Sequence, residues 1–283
     1  MSLASNIISP AFSRAANTYD GVAILQREVA TRLLDQLEFV KLSPDTICDL
    51  GAGTGFGAEL LKNRFSSADI FTADFSFEML SKIQSKKLTT LNNCTNVYQL
   101  GFQANSFDFI FCNLMLQWCE HLPIALYEIM RVLKPGGLLL FSTFGPATLK
   151  ELRESFSSVD THTHVHDFLD MARLGDTLLK MQFNDPVMQV EDITMSYEHP
   201  RDLLKDLKGL GATNKSETRK KTLMGKQKLH AMLQAYEAFR LDDGTYPATF
   251  ETVYVHAVKP EGWQPQFVNN EGEVCVPLTS FSS

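Results

Sequence analysis

Apolar residues recur along this chain in two rhythms. In "VAILQREVATRLLDQLE", residues 22 to 38, Leu25, Val29, Leu33 and Leu37 follow one another at i, i+4 spacing and line one face of a helix. "LSPD" then breaks the chain, and "TICDL" is a short apolar run of the buried-strand kind. The two rhythms go on alternating. "GFGAELLKNRF" reads as a helix and "DIFTADF" as a second strand, and "SFEMLSKIQSKK" is a helix with Ser76 at its N-cap. "TNVYQLG" gives a weaker third strand and "SFDFIFCNL" a fourth. "PIALYEIMRVLK" is a helix stopped by Pro135-Gly136-Gly137, and "LLLFSTFG" is a fifth strand, apolar enough to be covered on both faces.

Strands alternating with helices predict an α/β fold, with a mostly parallel sheet between two helical layers. After Gly145 the alternation stops. "PATLKELRESF" predicts a helix within a mainly helical stretch. "EDITMSYEHP" and "TFETVYVHAVKP" predict two strands that finish the sheet, the last pair antiparallel. From Pro260 onward the chain has no helical period and reads as a tail.

Composition changes this picture little. At 44% hydrophobic and 21% charged, the chain can bury a sizeable core. Its net charge of -7 speaks against nucleic-acid or membrane binding through the whole surface, though not against a local basic patch. Five cysteines without a CxxC argue for reduced thiols rather than disulfides or zinc. With no apolar leader and no run of membrane-spanning length, a soluble cytoplasmic protein is the expectation.

The candidate chemistry starts at "CDLGAGTGFG", Cys48 to Gly57. A dinucleotide loop needs G-x-G-x-x-G, but after Gly51 and Gly53 that pattern meets Phe56. The Lys-Ser/Thr of a triphosphate loop is also missing. Asp49 precedes the glycines, which is awkward beside a pyrophosphate and useful beside an ammonium. Asp74 ends the second strand, where a carboxylate can accept from a ribose diol. Together they suit a nucleoside with an amino-acid tail, S-adenosylmethionine. A tight strand-to-helix turn is the plain alternative for the glycines. Met79 fits an adenine contact or simple packing.

"DLGAGTG", "ADFSFEML", "SFDFIFCNLMLQW" and "RVLKPGGLLLFSTFG" resemble the class I S-adenosylmethionine-dependent methyltransferases over about residues 46 to 145. That resemblance implies a Rossmann-like fold, seven strands in a mostly parallel sheet. "AFSRAANTYD", "NLMLQWC", "FSTFGPATLKELRESF", "HVHDFLDM", "DPVM" and "DLKGLGATN" narrow it. From about residue 10 to Val258 the chain resembles the malonyl-acyl-carrier-protein O-methyltransferases of biotin synthesis. The implied activity is methylation of the free carboxylate of malonyl-phosphopantetheine on acyl carrier protein. The organisation then reads as an N-terminal helical lid (1–40), a cofactor-binding core (41–146), substrate-cap helices with the final strands (147–259) and a tail (260–283).

The resemblance implies a cofactor site made by Arg14, Asp49, Gly51, Ala52, Gly53, Thr54, Asp74, Phe75, Met79, Asn96, Val97, Asn113 and Leu114. Relatives usually carry Asp at the position of Asn96, whose amide oxygen accepts the same bond without charge. Because a carboxylate of pKa about 4 is already ionised at neutral pH, methyl transfer to it requires no general base. What the chemistry needs is positioning and exclusion of water. Tyr19, Gln117, Trp118, His121 and His166 are the candidate substrate-holding residues, with Tyr19 on the lid. Helix or core packing is the plain alternative for Tyr19 and Trp118. "HTHVHDF" places His164, His166 and Asp167 too close-set for a three-ligand metal site, so no metal is expected.

Between Asn214 and Lys228, Lys215, Arg219, Lys220, Lys221, Lys226 and Lys228 face only Glu217. A charge run is commonly a solvated loop. Beside the resemblance, this one, with Lys208, reads as a docking patch for an acidic carrier protein. Two other functions share the core motifs: a methyltransferase acting on a quinone precursor or other free acid, and a non-methylating assembly factor. Nucleic-acid amino methylation would want Asn/Asp-Pro-Pro-aromatic where this chain has "CNLML".

Overall fold

The computed structural model describes residues 13, 15–38, 40–84, 89–211 and 225–264. Among them are strands β1 (Thr46–Leu50), β2 (Asp69–Asp74), β3 (Leu91–Cys94), β4 (Phe107–Cys112), β5 (Leu133–Phe144), β6 (Asn184–Tyr197) and β7 (Tyr246–Val258). They form one sheet in the order β3-β2-β1-β4-β5-β7-β6. The first five strands run parallel, and β7 lies antiparallel to both β5 and β6. This is the α/β, mostly parallel, seven-stranded arrangement of the Rossmann-like methyltransferases.

Alternation along β4 explains why its sequence is apolar throughout. Phe109 and Phe111 join one core cluster while Ile110 and Cys112 join the other. Helices α2 (Ile24–Asp35) and α3 (Phe56–Arg64) cover the first face, together with α6 (Lys150–Ser157) and α9 (Lys226–Tyr236). Helices α5 (Leu122–Val132) and α7 (Met171–Lys180) cover the second. The short α1 (Tyr19–Val22), α4 (Phe77–Gln84) and α8 (Pro200–Gly209) complete the set. The predicted cap of α4 is present, since Ser76 Oγ accepts the backbone N–H of Met79 at 3.3 Å.

Two strands depart from the sequence expectation. The third strand was expected at "TNVYQLG", but β3 lies just before it, over the polar "LNNC". An edge strand needs no apolar alternation, and β3 is nowhere buried. Residues 95–101 turn instead against α5. Glu128 accepts the N–H of Leu100 at 2.8 Å, and Arg131 donates to the carbonyls of Leu100 and Phe102, both at 2.9 Å. Strand β6 begins seven residues before "EDITMSYEHP", at Asn184, with an irregularity around Asp185 (φ 47°) and Pro186. Pairing with β7 alone makes it the other edge, where proline and an irregularity are tolerated.

Smaller differences have local causes. Helix α5 ends at Val132, because the register of β5 on β4 already starts with Leu133 opposite Phe107. Helix α6 starts only at Lys150, after a left-handed Leu149 (φ 56°). The first residues of the expected tail are held, with Trp263 under the Lys259 ammonium at 4.8 Å and against Tyr127 at 5.5 Å.

Candidate active site

The loop after β1 is shaped by backbone angles that only glycine adopts easily. Gly51 has φ +77°, and a Cβ there would meet the Met115 side chain at 2.6 Å. Its N–H donates to the Ala73 carbonyl at 2.7 Å, which pins the loop to β2. Asp74, half-buried at the end of β2, accepts the Gly53 N–H on Oδ2 (2.9 Å) and the Ser76 N–H on Oδ1 (2.8 Å). Desolvation pushes its carboxyl above the usual range, against the pull of these N–H groups. The Phe75 N–H is a third backbone donor, which leaves the carboxylate one lone pair for a further donor, such as a diol hydroxyl.

The larger cavity opens at the carboxyl ends of β1, β2 and β4, where the strand order reverses. Gly51, Gly53, Asp74, Phe75, Met79, Asn96, Val97, Asn113 and Leu114 all line it, as do Tyr19 and Trp118. Asp49, Ala52 and Thr54 line a smaller cavity that adjoins it, sharing Tyr19, Gly51, Gly53 and Asn113 as walls. Asp49 is 2% exposed. It accepts the Ala58 N–H, and its Oδ2 has no partner among the described residues. Burial pushes its carboxyl up to about 7, and the Asp74 charge adds to the rise.

Helix α1 sits over this loop. Thr54 Oγ1 donates to Asp20 Oδ1 at 2.6 Å, and Arg27 donates to the Asp20 carbonyl at 2.9 Å. A Tyr19 ring atom lies 3.9 Å from a Cβ built on Gly53. Burial, reinforced by Asp74 and Asp20, raises the Tyr19 phenol, which therefore stays a neutral donor at physiological pH.

The other candidate substrate residues separate. Trp118, in the 3-10 turn Leu116–Trp118, faces the cavity and stacks on His166 at 6.2 Å. His166 stands behind it, bonded to the Gln117 backbone, and burial lowers its pKa, so it is neutral. Gln117 turns inward, donating Nε2 to the Leu114 carbonyl at 2.7 Å, and does not line the cavity. His121 is exposed and also outside the lining; its N–H donates to Tyr98 Oη at 3.2 Å. The loop that carries His166 is anchored at Asp160, which accepts Lys228 Nζ at 2.6 Å and bonds His164 Nε2 at 2.8 Å. His164 and His166 thus face different partners.

Arg14, Lys215, Arg219, Lys220 and Lys221 lie outside the described residues. Of the remaining cations, Lys208 lies in the last turn of α8 and Lys226 begins α9, whereas Lys228 is taken up by Asp160. The α8 end reaches the residue just before α1, since Thr18 Oγ1 donates to the Gly209 carbonyl at 3.2 Å.

Sequence reasoning missed Tyr98, Met115 and Cys119 in the cavity wall and Gln26 in the smaller cavity. Tyr98 was hidden by the misplaced third strand. Met115 and Cys119 flank Trp118 in "NLMLQWC", so that quoted run held the signal. Among the described residues no helix is long and apolar enough to cross a membrane.

Residues 48–141 match a family described as a methyltransferase domain. A malonyl-[acyl-carrier protein] O-methyltransferase of Gallionella capsiferriformans is 43% identical to this chain, covering 96% of it and 94% of the relative. The malonyl-[acyl-carrier protein] O-methyltransferase 1 of Coxiella burnetii is 44% identical, with the same coverage of 96% and 94%. Among solved structures, the YcgJ protein of Bacillus subtilis aligns with a TM-score of 0.57 at 16% identity, covering 81% of this chain and 98% of that one. The structural likeness supports the fold.

Proposed function

Because the chain belongs to the malonyl-[acyl-carrier protein] O-methyltransferase family, we propose that it moves the methyl group of S-adenosylmethionine onto the free carboxylate of malonyl-[acyl-carrier protein]. The product is the malonyl methyl ester that primes pimeloyl synthesis for biotin. The observation that carries the reading is the similarity to so-named relatives over 96% of the chain. Nothing comparable favours a free-acid substrate or an assembly role.

The cavity fits the cofactor. Asp74 keeps a lone pair for a ribose hydroxyl, Met79 and Val97 offer apolar wall to a base, and Asn96 offers an amide oxygen. Asp49 holds an unmet buried oxygen. Bound there, S-adenosylmethionine supplies an activated methyl group on a sulfonium. The acceptor carboxylate is ionised at neutral pH, so no side chain has to remove a proton. Tyr19 donates to that carboxylate and, with Trp118, keeps water off it, which leaves the nucleophile poorly solvated. His166 and Gln117 act behind Trp118 rather than on the substrate, and His121 stands outside.

In this reading residues 1–40 form the lid, 41–146 hold the cofactor, 147–259 add the acceptor cap and last strands, and 260–283 are a tail. The acidic carrier protein docks near Lys208, Lys215, Arg219, Lys220, Lys221 and Lys226, in the cytoplasm. The test is transfer of radiolabelled methyl from S-adenosylmethionine to malonyl-[acyl-carrier protein], giving a base-labile ester. Cofactor binding without label on that protein would overturn the acceptor.

A further inference from the structure

Asp49 and Gln26 both line the smaller cavity, and each has a buried side-chain oxygen, Asp49 Oδ2 and Gln26 Oε1, with no hydrogen-bond partner among the described residues. An unmet buried acceptor is costly, and folded proteins keep few of them. Two on residues that line one cavity, one of them a carboxylate oxygen, call for a ligand that is rich in donors and positively charged.

Among the described residues, nothing nearby meets that need. Arg27, the cation in the same wall, already donates to the Asp20 carbonyl at 2.9 Å, lies 3.6 Å from its carboxylate and covers the Phe56 ring at 5.6 Å. The other titratable groups around Asp49 add no positive charge: Cys48 beside it on β1, Asp74 on β2, Cys112 on β4, and Tyr19 and Asp20 on α1. Gln26 is also fixed in place. Its backbone carbonyl accepts Asn113 Nδ2 at 2.9 Å, and Asn113 Oδ1 in turn accepts Ser142 Oγ at 2.8 Å.

The two cavities meet at Tyr19, Gly51, Gly53 and Asn113. A nucleoside in the larger one can therefore send a short tail into the smaller. We propose that Gln26, from the lid helix α2, is a cofactor-binding residue whose amide oxygen, with Asp49 Oδ2, receives the ammonium of the cofactor's amino-acid end. The inference rests on the cofactor reading given above. It makes α2, already packed on the sheet through Leu25, Val29 and Leu33, part of the cofactor site.

Two ligands separate the tail from the nucleoside: S-adenosylhomocysteine, and 5′-methylthioadenosine, which lacks the amino-acid end. Calorimetric affinities for both are measured on the full chain and on Gln26→Leu. The expected result is a loss of roughly tenfold or more for S-adenosylhomocysteine, the scale of one charged hydrogen bond, and less than about twofold for 5′-methylthioadenosine. The ratio within each protein guards against a folding defect, which would weaken both ligands alike. Equal losses, or none, would overturn the role of Gln26 while the cofactor reading stands. A native chain that binds neither ligand would overturn both.

Discussion

Burial pushes the carboxyl group of Asp49 up to about 7, with no cation among the described residues pulling it back. Its folded value of about 7 lies well above the ordinary value of roughly 4 that it has in an unfolded chain. Between those values the folded protein keeps a proton that the unfolded chain gives up. Stability from this group is therefore complete below pH ~4, is lost as pH rises to ~7 and stays lost above. Asp49→Asn removes the titration and keeps an acceptor for the Ala58 N–H. The variant should melt like the native protein near pH 4 and be more stable by a few kcal/mol at pH 8. Thermal melts of the ligand-free proteins across that range check this. A gain independent of pH would show that the charge of Asp49 is not what costs stability. Asp49, Asp74 and the glycines were legible because strand ends and backbone angles dictate them. Gln26 was not, because its oxygen matters only once α2 is folded over the loop.

At the scale of elements, the loop after α6 is built around one carboxylate. Asp160 accepts from Lys228 on α9, bonds His164 and accepts the His162 N–H at 3.1 Å. Lys228 first, and His164 after it, hold its carboxyl well below the usual carboxylate range. His164 also stacks on Phe156 at 3.9 Å. Six residues on, the same loop presents His166 to Trp118, so under the proposed function Asp160 positions the acceptor wall from a distance. Asp160→Asn should raise the Michaelis constant for malonyl-[acyl-carrier protein] severalfold and leave S-adenosylhomocysteine affinity unchanged, as read by steady-state kinetics and calorimetry. Parallel losses in both would mean that the ion pair only holds the fold together. Nothing in "HTHVHDF" announced this arrangement, since Lys228 lies 68 residues away. The same limit separates the strands. β1, β2 and β4 are pressed between helices and spell themselves in apolar residues, while β3 and β6, at the sheet's edges, can be polar and so were misplaced or cut short.

At the scale of the whole molecule, a chain of net charge -7 carries a concentrated basic run, narrowed because Lys228 is already paired. Replacing Lys220 and Lys221 together with Glu should slow productive encounter with an acidic carrier protein and flatten the salt dependence of kcat/KM, with cofactor affinity untouched. Equal weakening of cofactor binding would make the run structural. The sheet order has a consequence of another kind. Strand β7, late in the sequence, lies between β5 and β6, with about a hundred residues separating the end of β5 from its start. While the chain leaves the ribosome, β5 therefore waits with one side unpaired and Leu139 and Phe141 without their final cover. Closing so long a loop is slow, and the waiting edge is adhesive. The newborn chain depends for its solubility on a strand that it has not yet made.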